Sequence, residues 1–133
     1  MPDTQPFRIF IVDDDVDLLM LLERCLEGAG YVVETAASLR EAEELRHDFA
    51  PDIYLIDINV GGEDGRRLCW TIKMLEARPG VQVLLQTGYD CHHGRAALFG
   101  ADDVLAKPVP TEYLLLRLQY HLGKAAAARM RNR

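Results

Sequence analysis

The chain has too few cysteines for a disulfide framework: Cys25, Cys69 and Cys91 are an odd set with no CxxC pair among its 133 residues. Such usage suits a reducing compartment, with Cys25 and Cys69 read as small core hydrophobes. Long apolar runs are also missing. The longest unbroken one, Leu18 to Leu22, falls far short of the roughly 18 residues a membrane helix needs, and Met1-Pro2-Asp3 opens no export signal. We therefore expect a soluble, cytoplasmic protein with no membrane contact. Repeats and low-complexity linkers are absent too, which leaves one core, and a chain of this size buries roughly two thirds of its unfolded surface. Positive charge is scarce except at the end. Lys124, Arg129, Arg131 and Arg133 put four cations and no acid in the last ten residues, so the other 123 carry −10 of a net −6. A body that acidic repels nucleic acid, and direct contact with it is not expected of this domain. The basic end reads as a solvated, partly disordered tail or the start of a linker, with the domain itself at residues 1–123.

What is present alternates. Five short apolar runs, at residues 7–12, 31–35, 53–56, 81–85 and 104–106, read as strands, and the first, third and fourth are nearly continuous, as in strands covered on both faces. Helical periodicity lies between them. Leu18, Leu19, Leu22 and Leu26 mark the first helix, Leu39, Ala42, Leu45 and Phe49 the second, Leu68, Ile72 and Leu75 the third, and Leu114, Leu115, Leu118 and Leu122 the fifth. The fourth, at 95–99, is short and weak. Ser38-Leu39-Arg40-Glu41 is a capping box, Gly28 and Gly30 suit the end of the first helix, and Pro79-Gly80 closes the third. Lys124 to Met130 is rich in helix formers, but Gly123 argues against continuation at roughly 1 kcal/mol relative to alanine. Five alternations point to a doubly wound α/β sandwich on a parallel sheet, and the working strand order is 2-1-3-4-5. A fragment of a larger dinucleotide-binding sheet is disfavoured because no GxGxxG follows the first strand.

In a sheet of that order all carboxyl ends share one edge, with a crevice between strands 1 and 3. Strand 1 ends in Asp13-Asp14-Asp15, strand 3 in Asp57, strand 4 in Gln86-Thr87 and strand 5 in Lys107-Pro108. Asp13, Asp14 and Asp57 would then lie close together, each pair repelling by about 4 kcal/mol at 4 Å and an effective dielectric of 20. A positive partner is required. Lys107 supplies one charge, and an oxygen-only cluster without His or Cys suits a hard divalent ion such as Mg²⁺, which favours one or two carboxylates plus water and phosphate oxygens.

Ile11-Val12-Asp13-Asp14-Asp15, Leu55-Ile56-Asp57, Asp64-Gly65, Gln86-Thr87-Gly88 and Gly100-Ala101-Asp102-Asp103, followed by Lys107-Pro108, together resemble the receiver domains of two-component response regulators. The resemblance runs from Arg8 to about Leu122 and implies a flavodoxin-like, CheY-like fold. It implies that Asp57 accepts a phosphoryl group from the phosphohistidine of a sensor histidine kinase or phosphotransfer protein. Asp14 and Asp57 would bind Mg²⁺ directly, Asp13 through water, and Asn59 through its main-chain carbonyl. Thr87 and Lys107 would each hold a phosphoryl oxygen, with the Lys107-Pro108 bond cis. The protein would catalyse its own phosphorylation and dephosphorylation without being a turnover enzyme. Output would pass through the face of helix 4, strand 5 and helix 5, where a homodimer is possible and where Asp103 and Arg117 occupy positions of an intersubunit ion pair.

Alternative readings accompany these. Asp15 and Asp17 read as helix-start acids rather than ligands, and Thr87 has a minority reading as a cap of the fourth helix. Cys91-His92-His93 reads as exposed loop, His47 and His121 as half-exposed helix residues, and Trp70 as packing. Val104 stands where receivers usually carry an aromatic residue, Gly61 where they carry proline, and Gly88 where alanine is common. From Gly61 and Gly62 we expect a looser loop after Asp57, from Val104 we expect Tyr89 as a substitute gate, and from the short Thr87 to Lys107 segment, weakly periodic around residues 92–95, a truncated or irregular fourth helix. They also motivate a second function, a phosphorylation-independent docking module. A third, an aspartyl-phosphate phosphohydrolase, is disfavoured because Asp57-Ile58-Asn59 lacks an acid at the second position after the nucleophile.

Overall fold

The computed structural model describes residues 5–88 and 99–131. The fourth helix, Tyr89 and Cys91-His92-His93 lie outside the described residues. The apolar runs form five parallel strands, β1 (Arg8–Val12), β2 (Val32–Ala36), β3 (Ile53–Asp57), β6 (Gln82–Thr87) and β7 (Asp103–Ala106), in the order β2-β1-β3-β6-β7. That is the expected 2-1-3-4-5 order once a separate hairpin, β4 (Asn59–Val60) with β5 (Glu63–Asp64), is set aside. Alternate side chains of each strand enter opposite layers. Ile9, Ile11, Leu55 and Leu84 pack with α1 (Val16–Gly28) and with α4 (Thr111–Arg131) through Leu22, Leu26, Leu114 and Leu118. Phe10, Val12, Ile56 and Leu85 pack in the other layer with α2 (Leu39–Phe49) and α3 (Arg66–Trp70) through Ala42, Leu68 and Cys69. Among the described residues no helix is long and apolar enough to cross a membrane.

The expected caps form. Asp15 accepts from the Leu18 amide at the start of α1, and Ser38 Oγ accepts from Glu41 N at 3.1 Å while Glu41 Oε1 reaches back to Ala37 N at 2.9 Å. Other expectations need correction. Arg46, 2% exposed, takes the inward position on α2 in place of the half-exposed Leu45, because Glu43, Glu76 and the Tyr54 hydroxyl partner its guanidinium. The third helix widens after Trp70 into a π-helical turn, Thr71–Glu76, closed by Ala77 N to Ile72 O at 3.0 Å with Ala77 in the left-handed region. Each residue of a π turn advances less around the axis than in an α-helix. Ile72 therefore stays inside while Leu75 emerges, 64% exposed. Trp70 is likewise half-exposed rather than packed, beside a fully buried Cys69.

Gly123 does not end the last helix. α4 continues to Arg131, so Lys124, Arg129 and Arg131, expected in a tail, lie in its final turns, held down by Ala125 and Ala128, and Arg133 lies outside the described residues. Gly80, at φ +84°, makes room for them: a Cβ there would stand 2.7 Å from Ala128 Cβ. Arg129 pairs with Asp52 and stacks over the Phe7 ring at 4.6 Å. His121 is also not half-exposed. It is 1% exposed, with Nδ1 3.1 Å from Gln82 Oε1 and Nε2 3.0 Å from Asp103 Oδ2.

Candidate functional site

Two parallel strands that end beside each other deliver their last acids to one place. β1 runs into Asp13 and Asp14, and β3 ends in Asp57, with Val12 paired to Ile56 in register. Carboxylate oxygens of Asp13, Asp14 and Asp57 all lie within 4.8 Å of one another, with Asp14 exposed and Asp13 buried. Lys107, delivered by the turn after β7, bridges the two inner acids: Nζ lies 2.7 Å from Asp13 Oδ2 and 2.8 Å from Asp57 Oδ2. Its backbone N–H donates to Thr87 O at 2.7 Å, and the Lys107–Pro108 peptide is cis.

Burial pushes the Asp57 carboxyl above its ordinary value, and Asp13 adds to that, against the opposing pull of Lys107 and the Asn59 N–H. For Lys107 burial works against the ammonium, but the hydrogen bonds to Asp13 and Asp57 outweigh it and its pKa is raised. Two of the three acids thus share one ammonium, with Asp14 beside them. Such an oxygen-only donor set, short of positive charge, is what a hard divalent cation fits.

The loop after Asp57 positions the rest. Asn59 N donates to Asp57 Oδ1 at 3.2 Å, and the Asn59 side chain accepts from Gly62 N at 3.0 Å. Gly61 and Gly62 both have positive φ, as a two-residue hairpin turn demands. The loop is therefore tighter than expected, because two glycines meet a tight turn's requirement as readily as they relax a long one. The Gly61 N–H donates to Asp14 Oδ2 at 3.1 Å, a bond that proline at this position would forbid. Gly65 serves through its lack of a side chain, since a Cβ would stand 2.0 Å from the Asp57 carbonyl oxygen. Thr87 closes β6 as a buried residue, and a Cβ at Gly88 would meet nothing within 4 Å. Sequence reasoning assembled Asp13, Asp14, Asp57 and Lys107 in one crevice, and the structure brings them together. It missed the Gly61 amide, whose signal was the positive φ that a Gly-Gly pair permits.

Residues 9–119 match the response regulator receiver domain family, and the chain belongs to it. It is a receiver domain of the two-component response regulators. Over 116 residues it is 35% identical to the response regulator MprA of Mycolicibacterium vanbaalenii, covering 86% of this chain and 49% of that protein. The chain thus spans about half the length of that curated relative. A CheY-like receiver domain protein from Methanospirillum hungatei superposes with a TM-score of 0.82 at 32% identity, over 91% of this chain and 97% of that one. The BeF3-activated receiver domain of Klebsiella pneumoniae RstA gives 0.77 at 29%, over 86% and 97%.

Proposed function

We propose that this receiver domain is a phosphorylation-controlled switch whose phosphoacceptor is Asp57. A carboxylate oxygen of Asp57 attacks the phosphorus of a kinase or phosphotransfer phosphohistidine; the P–O bond forms as the P–N bond breaks, and the electron pair leaves with the imidazole nitrogen. Lys107 gives up its contact with Asp57 and holds a phosphoryl oxygen, while the Thr87 hydroxyl donates to another. Asp14, Asp57 and the Asn59 carbonyl would hold a Mg²⁺ ion, with Asp13 acting through water, and the ion would supply positive charge to stabilise the transferring group. The same groups position water for hydrolysis, so the protein turns its own signal off without processing other phosphate esters. A groove of about 430 Å³ beside the nest, lined by Leu18, Leu22, Pro108, Val109 and Leu114 among others, offers room for the donor. The reading places the protein in the cytoplasm with its kinase.

The observation that carries this reading is the single ammonium shared by two buried carboxylates, with a third acid alongside. The BeF3-activated state of the RstA receiver supports it by likeness. Incubation with Mg²⁺ and acetyl phosphate should add one phosphoryl group by intact mass, lost on chelation and in Asp57→Asn. No Mg²⁺-dependent adduct would leave the docking-module reading, which Val104 in place of an aromatic residue favours. Output through the fourth helix, β7 and α4 belongs to the proposal. Asp103 and Arg117, expected to pair between copies, are here paired to each other at 2.6 Å within one chain.

A further inference from the structure

Five of the six carboxylate oxygens in the acid nest already accept a hydrogen bond. Asp13 Oδ1 accepts from the Asp15 N–H at 2.9 Å and its Oδ2 from Lys107 at 2.7 Å. Asp57 Oδ1 accepts from the Asn59 N–H at 3.2 Å and its Oδ2 from Lys107 at 2.8 Å. Asp14 Oδ2 accepts from the Gly61 N–H at 3.1 Å, which leaves Asp14 Oδ1 as the one oxygen of the three side chains without such a bond among the described residues. The Gly61 donor has a local origin. In the β4–β5 hairpin the paired residues stop at Val60 and Glu63, so the Gly61 amide, the first in the turn, is left for an acceptor outside the ladder. With φ of +58° at Gly61 and +86° at Gly62, the turn carries that amide to an acid 47 residues earlier in the chain. Receivers usually carry proline here, which has no N–H to give, so the bond is a departure of this chain from its family.

The bond limits how Asp14 can meet a cation. An N–H on an ionised carboxylate is a charge-assisted bond, and a cation that took both oxygens would have to break it. Asp57 is limited in the same way, with one oxygen on Lys107 and the other on the Asn59 N–H. One-oxygen contacts suit Mg²⁺, which fills an octahedron at about 2.0–2.1 Å and keeps several waters. They penalise Ca²⁺, which takes roughly six to eight oxygens at about 2.3–2.6 Å and gains from carboxylates held through both oxygens. Lys107 and Asn59 have other work in phosphoryl transfer. Gly61 has none.

We propose that the Gly61 main-chain N–H is a positioning group that holds Asp14 to a one-oxygen presentation and so makes the nest select Mg²⁺ against Ca²⁺. The inference rests on the reading of the nest as a divalent-cation site and adds a selecting group from outside the ligand set. Glycolic acid in place of Gly61 turns the peptide link into an ester, which removes the donor and keeps the backbone free to adopt positive φ. Mg²⁺ and Ca²⁺ are titrated separately and followed by nuclear magnetic resonance of the Asp13 and Asn59 amides. The parent should bind Mg²⁺ the more tightly, and the ester should shift the ratio of the two dissociation constants toward Ca²⁺ by roughly fivefold or more. The same ester at Gly62, whose N–H serves Asn59 instead, should change both affinities in common and leave their ratio alone. A purely structural role for Gly61 would do no more than that. In the unmodified chain the Gly61 amide proton should keep its hydrogen-bonded, downfield position under saturating Mg²⁺ and lose it under Ca²⁺, which decides the matter even where the ester chain does not fold. An unchanged ratio in the Gly61 ester overturns the proposal, as does a parent that prefers Ca²⁺ or a Gly61 amide that responds alike to the two ions. Phosphoryl uptake with Mg²⁺ beside any of these leaves the phosphoacceptor reading in place, whereas a parent that binds neither ion overturns both.

Discussion

At the scale of single residues, charge partners decide what burial allows. Burial alone would raise the pKa of Asp103, but hydrogen bonds from His121 and Arg117 outweigh it, and the net shift is downward. A carboxylate with a depressed folded pKa adds stability that is fully present above its unfolded value and is lost as pH falls through the lower folded one. Asp103→Asn should therefore be less stable than the parent at neutral pH by roughly 1–3 kcal/mol. The gap should close below about pH 4, where the unfolded chain's acids take up protons. Urea titrations at several pH values measure it, and a difference constant with pH would mean that shape rather than charge holds the Gln82, Asp103, Arg117 and His121 cluster together.

At the scale of elements, each boundary has a local cause that can be removed. Ser38→Ala deletes the cap on the Glu41 amide and should lower stability by about 1 kcal/mol without touching the acid nest. Gly65→Ala should lower it by roughly 1–3 kcal/mol and also slow phosphorylation, because the methyl group must displace the Asp57 backbone. Comparing acetyl phosphate uptake in the two variants separates a stability loss from a site effect. The strands, the caps on α1 and α2 and the acidic crevice were legible because continuous apolar runs and strand-end acids are local signals. Arg46, His121 and the turn at Thr71–Glu76 were not. A hydrophobic period counts residues by type, and apart from Glu43 on the same helix the partners that make the buried Arg46 guanidinium and His121 imidazole tolerable include groups on β3, β6, β7 and the π turn, brought near only by folding. His121 did carry a trace of its position, three residues after Leu118 and seven after Leu114 on the inward face. Gly123 misled for a related reason: helix propensity is a small term beside the burial of Ala125 and Ala128.

At the scale of the whole molecule, the docking of α4 sets the geometry of both ends. Replacing Gly80 by Ala places a methyl group against Ala128 and forces a left-handed backbone on a residue with a side chain. Faster amide hydrogen exchange should follow across residues 124–131, while β1 and β3 stay protected. An unchanged exchange pattern would show that the final turns are held by Arg129 and Asp52 instead. That close fit of glycine against alanine sets where the final turns of the helix rest on the sheet. The acids of the nest then sit at one end of the sheet while Arg78, Lys124, Arg129 and Arg131 gather around Gly80 at the other, so the molecule carries an electrical north and south along its last helix.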